Sequence, residues 1–260
     1  MLFSIIITAY NYEKYIGKAV ESALNQDFLG EYEIIVVDDF STDNTRDILD
    51  QYDGIVRINN KENLGLEASV NIGIRRANGK YVTRLDADDY LEVGFLREIY
   101  MHIQGEDIFL YGDYTVVSEN ESHLLKVSLM NFDRSEIKCR GDFLATGTVY
   151  PKTMLVNAGL YSEEIRNSGL ENYQLILGLI CNDISGKHIE KNLFFYRRHG
   201  GNLSIEKIDS IVSHGQEIAK QYGLDFYAIN QYHPYLGASN ADTAKELKYI
   251  NYKSRKRPLC

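Results

Sequence analysis

Four short apolar runs alternate with three helical patterns over the first 85 residues, and that alternation leaves few folds open. Leu2 to Ala9 is Ile-rich, stops at Tyr10-Asn11, and gives way to a helical period with Ile16, Ala19, Val20, Ala23 and Leu24 on one face. Glu33 to Val37 is a second run, stopped by Asp38-Asp39, and Ser41-Thr42-Asp43 supply capping side chains for a helix through Thr45 to Tyr52. Ile55 to Ile58 predicts a third strand and Asn59 to Gly65 a turn. Leu66 to Ala77 predicts a helix with Ala68, Ile72 and Ala77 among its apolar positions, ended by Asn78-Gly79 before a fourth strand at Lys80 to Leu85. Strands alternating with helices imply an α/β fold built on a mostly parallel, doubly wound sheet. Ligands of such sheets bind outside the carboxyl ends of the strands. Those ends carry Thr8 and Tyr10, Asp38 and Asp39, and Asp86 through Asp89.

The run Arg84-Leu85-Asp86-Ala87-Asp88-Asp89-Tyr90 puts three carboxylates within four positions directly after a strand. Hard cations such as Mg²⁺ or Mn²⁺ take oxygen ligands and keep open positions for phosphate oxygens, which one or two carboxylates satisfy without closing the site. The other reading of Asp88 and Asp89 is that they begin the next helix, where carboxylates cap free N–H groups. On the triplet alone both stand. Neither a GxGxxG fingerprint nor a GxxxxGK[ST] loop occurs in the chain, so a diphosphate would have to be neutralised by a metal on the Asp-rich run.

A chain of 260 residues with 44% hydrophobic content is enough for one large α/β core with a small appendage. A net charge of −9 argues against a nucleic-acid surface, since phosphate backbones select a basic face. Cys139, Cys181 and Cys260 are odd in number, widely spaced and without a CxxC pair, so neither a disulfide framework nor a zinc site is suggested and a reducing cytoplasm fits. No secretory leader pattern is present, and the longest apolar stretch, Leu175 to Cys181, is too short to span a bilayer. The expectation is a cytoplasmic protein, at most peripheral on the inner face of a membrane.

The order Ile5 to Asn11, Ile35 to Asp43, Asn63-Leu64-Gly65 with Asn71 and Gly73, Asn78 to Val82, then Asp86-Ala87-Asp88-Asp89 resembles the family 2 glycosyltransferases of the GT-A fold. The resemblance covers about the first 200 residues. It implies a GT-A domain over 1–204, with a nucleotide-sugar-binding half at 1–110 and an acceptor-binding half at 111–204, followed by a small helical C-terminal extension at 205–260.

Carried over to this chain, the resemblance implies that Thr8, Tyr10 and Asp39 meet the base and ribose of the donor. Asp86 would contact the donor sugar or ribose, with Ala87 beside it in the donor site, and Asp88 would bind a metal bridging the diphosphate. Asp38 and Asp39 can also be read as a capping pair. Asp43 reads as structural. Arg84 alternates with Asp86 and can share the crevice face, touching phosphate or sugar, or can be a solvated or ion-paired arginine. Phe194 to Ser204 resembles the segment that closes over the donor, where His199 would be a metal or diphosphate ligand and Arg197 or Arg198 a partner for diphosphate oxygens.

Inverting transfer needs a carboxylate to take the acceptor hydroxyl's proton. The family supplies it from a Glu-Asp pair opening a helix about 80 residues past the Asp-rich run, and here the matching pair is Glu171-Asn172. Asparagine cannot accept that proton, so Glu171 takes the role, or Glu163 or Glu164 does. Tyr114 to Val117 and Leu124 to Leu129 read as an edge strand and a hairpin, and Lys152 to Ala158 as a helix on the acceptor side. Four basic residues in the five positions Lys253 to Arg257 suit either anionic lipid carrying a polyprenol-linked acceptor or a solubilising tail.

The resemblance thus carries the expectation of a metal-dependent inverting glycosyltransferase that uses Mn²⁺ or Mg²⁺. It would move a sugar from a nucleotide-diphosphate sugar, foremost a UDP-sugar, to a glycan or lipid-linked saccharide hydroxyl in bacterial surface polysaccharide biosynthesis. The alternative is a nucleotide-sugar-binding protein with weak or no transfer, motivated by Asn172.

Overall fold

The computed structural model describes residues 1–140 apart from 104 and 106, then 146–202, 208–224 and 248–251. Its first half runs β1 (Phe3–Ala9), α1 (Ile16–Leu24), β2 (Tyr32–Asp38), α2 (Thr45–Leu49), β3 (Val56–Asn59), α3 (Leu66–Arg76), β4 (Tyr81–Asp86), β5 (Tyr90–Leu91) and α4 (Phe95–His102). Then come β6 (Ile108–Ser118), β7 (His123–Ser128), α5 (Arg134–Arg140), β8 (Val149–Pro151), α6 (Lys152–Asn157), α7 (Glu171–Cys181), β9 (Ser185–Arg198), α8 (Ile208–Gln221) and β10 (Lys248–Asn251).

β1 is buried along its whole length, as a strand between two layers of helices must be. Its alternate residues divide between two cores. Ile5 and Ile7, with Ile34 and Val36 of β2, join Ile16, Ala19 and Val20 of α1 and Phe95, Leu96 and Ile99 of α4. Ile6, with Ile35 and Val37, joins Val70 and Ile74 of α3 on the opposite face. Gly73 permits that contact, because a Cβ there would lie 2.5 Å from Ile6 Cγ2.

The strands are ordered β10-β7-β6-β8-β4-β1-β2-β3, with β9 against β6 and β5. The block β4-β1-β2-β3 is parallel throughout. Because β1 lies between β2 and β4, the winding reverses between β1 and β4, and that switch point opens a crevice at the carboxyl ends. Register brings the polar ends together: Thr8 is opposite Asp86, and Ala9 is opposite Asp38.

The second half is mixed. β8 joins β4 antiparallel, β6 and β7 form the expected hairpin, and β9 runs parallel to β6 through two register shifts. Residues 205–260 contain the expected helix, α8, and also β10, which adds a parallel strand beside β7. A strand there covers the unpaired backbone groups that an edge strand presents. The basic run Lys253 to Arg257 lies outside the described residues, as do Leu203 and Ser204. Among the described residues no helix is long and apolar enough to cross a membrane.

Two polar belts tie the halves together. Asn71 donates from Nδ2 to the Tyr161 carbonyl at 2.9 Å and accepts the Tyr161 N–H at 3.0 Å. Glu67, fully buried on α3, accepts the backbone N–H groups of Asn167 at 2.8 Å and Ser168 at 2.9 Å. The buried face of α3 is therefore Glu67, Ser69, Val70, Asn71, Gly73 and Ile74, while Ala68 and Ile72 are only half-buried.

Candidate active site

The loops after β1 and β2 hold each other. Asn11, in the left-handed region at φ 60°, accepts the Thr42 N–H at 2.8 Å, while Ser41 Oγ and Thr45 Oγ1 accept the N–H groups of Asn11 and Tyr12. Asp43 accepts from the Glu13 and Thr45 N–H groups, a structural role that lowers its carboxyl's pKa against the opposing effect of burial. Thr8 is buried at the register position facing Asp86, its hydroxyl without a partner among the described residues, and Tyr10 stands exposed at the mouth.

Asp38 and Asp39 separate by role. Asp38 pairs with Arg46 at 2.5 Å and accepts the Ser41 N–H. Asp39 holds the loop before α3: Oδ1 accepts from Asn60 Nδ2 and Leu64 N, and Oδ2 from Gly65 N, each at 2.8 Å. A carboxylate offers about four acceptor positions, so one remains open on Asp39 Oδ2.

The Asp-rich run turns tightly, with the Asp89 N–H donating to the Asp86 carbonyl at 3.0 Å and Ala87 buried between its neighbours. Arg84 grips Asp86 with two bonds, Nε to Oδ1 at 2.5 Å and Nη2 to Oδ2 at 2.9 Å, and reaches Glu171 Oε1 from Nη1 at 2.7 Å. Burial works against the guanidinium charge, but Asp86 and Glu171 raise its pKa well above the ordinary value. Glu171 opens α7 and is 6% exposed, and its Oε2 is buried without a hydrogen-bond partner among the described residues.

Asp88 Oδ2 lies 2.9 Å from His199 Nε2 and accepts from Asn202 Nδ2 at 3.2 Å. The Gly201 N–H points at His199 Nδ1 at 3.2 Å, which assigns the ring proton to Nε2 in this arrangement. Asp89 is wholly buried. Burial first, and then the charges of Asp88 and Asp86, push its carboxyl well above the usual range, against the Arg197 N–H and the Thr146 hydroxyl, which lower it.

Arg197 is a tie across the crevice rim. Its N–H bonds go to the carbonyls of Asp88 and Glu119 and to Glu121 Oε1, and its guanidinium lies over the rings of Tyr15 and Tyr90. The Tyr15 ring lies tilted against His199, centroids 4.6 Å apart, and its hydroxyl donates to Glu119; burial with that bond pushes the hydroxyl up to about 12. Burial and the charges of Asp88, Asp86 and Asp89 raise Tyr12 as well, which sets it beside the acidic cluster. Tyr12, Tyr15 and Glu119 belong to no motif, so nothing in the sequence marks them as part of the crevice, while Asn202 lies in the Phe194 to Ser204 segment without being singled out there.

The alternatives to Glu171 lie elsewhere: Glu163 is exposed and receives Asn71 Nδ2 at 2.7 Å, and Glu164 is exposed beside it. Asn172 accepts the Tyr161 hydroxyl at 3.0 Å inside the protein.

The glycosyl transferase family 2 model matches residues 4–162, more than half of the chain. The chain belongs to that family. The glycosyltransferase GlyG of Streptococcus pneumoniae serotype 4 is 29% identical over 231 residues, covering 80% of this chain and 74% of GlyG. The Escherichia coli UDP-Glc:α-D-GlcNAc-diphosphoundecaprenol β-1,3-glucosyltransferase WfaP is 27% identical over 259 residues, covering 88% of this chain and 93% of WfaP. Among solved structures, Staphylococcus aureus TarS 1–349 with UDP-GlcNAc aligns over 85% of this chain and 71% of its own, with a TM-score of 0.65 at 20% identity. The Pyrobaculum calidifontis mannosyltransferase PcManGT with GDP-Man and Mn²⁺ aligns over 91% and 68%, with a TM-score of 0.65 at 14% identity. These likenesses show the GT-A fold expected from the sequence, and family membership makes this chain a glycosyltransferase.

The donor set suits the divalent cation that the fold family implies. Asp88 and His199 set a carboxylate oxygen and imidazole Nε2 side by side, ligands that Mn²⁺ accepts, and Nε2 would serve once its proton has moved to Nδ1 and the Gly201 N–H has released that bond. No group of three or more His, Cys, Asp or Glu is arranged for a metal among the described residues. An ion at this pair would take its remaining ligands from phosphate oxygens and water.

Proposed function

We propose that this chain moves a sugar, with inversion, from a UDP-sugar to a hydroxyl of a saccharide or polyprenol-linked acceptor, in the building of a bacterial surface polysaccharide. The observation that carries the reading is the convergence of Asp86, Asp88, His199 and Glu171 on one crevice at the switch point of the sheet. Asp39, with Thr8 and Tyr10, receives the base and ribose. Its one open acceptor position suits a single ring N–H of the base. Asp86, Ala87 and Asp88 face the sugar and diphosphate, and Asp88 with His199 holds Mn²⁺ or Mg²⁺. When bound, that ion supplies Lewis-acid stabilisation of the leaving diphosphate.

Glu171 is the base. It is the buried carboxylate at the head of α7 with a free oxygen, and Asn172, turned to Tyr161, is not needed for the proton. WfaP, whose name specifies a UDP-sugar and a diphosphoundecaprenol acceptor, supports the donor and acceptor classes. TarS with bound UDP-GlcNAc supports the donor class, and PcManGT with Mn²⁺ supports the metal. A lipid-linked acceptor places the reaction at a membrane surface, where the basic run Lys253 to Arg257 would meet anionic headgroups.

The test is release of nucleoside diphosphate from UDP-glucose, UDP-GlcNAc, GDP-mannose and dTDP-glucose with Mn²⁺ or Mg²⁺, in wild type and Glu171→Gln. Metal-dependent release from a UDP-sugar that falls at least about 10²-fold in Glu171→Gln is expected. Full activity in that variant would refute the base assignment.

A further inference from the structure

We infer that Arg84 is a positioning residue for Glu171 rather than a ligand of the donor. The inference rests on the reading of Glu171 as the base and assigns the side chain that sets its geometry.

The guanidinium carries five N–H donors in a fixed plane. Nε and one N–H of Nη2 are taken by the two oxygens of Asp86, and one N–H of Nη1 by Glu171 Oε1. Three of the five donors therefore serve protein carboxylates, and Arg84 is 9% exposed. A residue that neutralises a diphosphate keeps its charge facing the ligand, whereas this one spends its fork on fixing two side chains from different elements. The bidentate contact locks the plane of Asp86 relative to the strand, and the Nη1 contact extends that plane to the head of α7.

The backbone on both sides is held as well. The Arg84 carbonyl accepts the Gly147 N–H at 3.1 Å, and Arg84 sits in register with Ile6 of β1. On the other side Leu170 N bonds to Ser168 Oγ, and Ser168 N bonds to Glu67. Glu171 thus has a fixed Cα, one oxygen held by a rigid cation and one buried oxygen with no partner among the described residues. That division suits a base: the held oxygen fixes direction and the free one takes the proton.

Displacing a base by about 1 Å costs about 10²-fold in rate, so the arginine acts on turnover and not on donor affinity. The experiment uses the full chain and the donor that wild type turns over in the panel of UDP-glucose, UDP-GlcNAc, GDP-mannose and dTDP-glucose. It compares Arg84→Met, Arg84→Lys, Glu171→Gln and the double variant Arg84→Met/Glu171→Gln. Arg84→Met should lower kcat roughly 30- to 100-fold and leave KM for the donor, and Kd for UDP measured by calorimetry, within about threefold. Arg84→Lys, a point charge without the fork, should recover less than about a tenth of the wild-type kcat and bears on the same split if Arg84→Met does not fold. The double variant should lose far less relative to Glu171→Gln than Arg84→Met loses relative to wild type, because the part of the arginine's effect that runs through Glu171 has nothing left to act on.

Loss of UDP affinity in folded Arg84 variants would overturn the inference by making Arg84 a donor ligand. Unchanged kcat in Arg84→Met alongside a slow Glu171→Gln would overturn it while leaving the base assignment standing. A fully active Glu171→Gln, or a wild type that releases from no donor in the panel, would end the inference together with the reading on which it rests.

Discussion

Replacing Asp39 by alanine removes the acceptor for three donors at once. Gly65 N and Asn60 Nδ2 are buried, but Asn60 Nδ2 keeps a second partner in Ser69 Oγ at 3.0 Å. Leu64 is 38% exposed, so water can reach its N–H once the carboxylate is gone. One donor is therefore fully orphaned and the other two partly compensated. With about 1–3 kcal/mol for an orphaned buried donor and about 1.5–3 for a hydrogen bond to a charged group, partly offset by water, the expected loss is about 2–4 kcal/mol. For a chain of this size that is a fall in Tm of roughly 5–12 °C. Urea unfolding followed by circular dichroism, with the slope m unchanged, measures it. Asp39→Asn keeps the Oδ1 bonds if its oxygen takes that place but turns an amide N–H₂ toward the Gly65 N–H, so it should lose about half as much. An alanine variant within about 1 kcal/mol of wild type would show that the loop from Asn60 to Gly65 does not depend on this carboxylate.

Asp88→Ala should abolish the Mn²⁺-dependent part of UDP binding in calorimetry, and binding that persists unchanged with metal would remove Asp88 from the metal site. Asn172→Ala deletes one buried acceptor, so it should destabilise by about 1 kcal/mol and keep donor turnover within about threefold of wild type, whereas a 10²-fold loss would return Asn172 to the chemistry. Gly73→Ala forces a methyl into Ile6 and should cost about 1–3 kcal/mol in urea unfolding, with an unchanged midpoint contradicting the close approach of α3 to β1. Tyr15 and Tyr90 are pushed up to about 12, so the folded state holds their protons after the unfolded chain has released them near pH 10. Their contribution is full below pH 10 and falls as pH rises from 10 to 12. Tyr15→Phe should flatten the fall in stability over that window, and an identical slope would contradict it.

The parallel half was legible because its strands are buried on both faces, which leaves uninterrupted Ile and Val runs that few other structures need. The acidic residues at the crevice were legible for the same reason, since a carboxylate cannot continue such a run and marks where it ends. Two things were hidden. The apolar period of α3 pointed to Ala68 and Ile72, but beside the core contacts of Val70 and Ile74 the helix buries Glu67 and Asn71, because part of the surface it meets is the backbone of a loop. β9 was invisible as a strand because Glu190, Lys191 and Asn192 interrupt its pattern where the register against β6 shifts. Arg84 shows the limit at the site itself. Its spacing placed it on the crevice face, but only the fold reveals that a residue 87 positions away occupies one end of its fork.

The belts from α3 to the loop at 161–168 constrain how this chain can change over generations. Glu67 and Asn71 hold backbone groups at 161, 167 and 168, so these belts fix the path of the main chain there, while the side chains of Tyr161, Asn167 and Ser168 make separate bonds to Asn172, Leu66 N and Leu170 N. A recombinant that joins residues 1–110 of one family member to the remainder of another would place the head of α7 wherever the foreign loop happens to run. Shuffling of acceptor specificity should therefore succeed only when α3 and the 161–168 loop travel together, as one heritable unit split across the sequence.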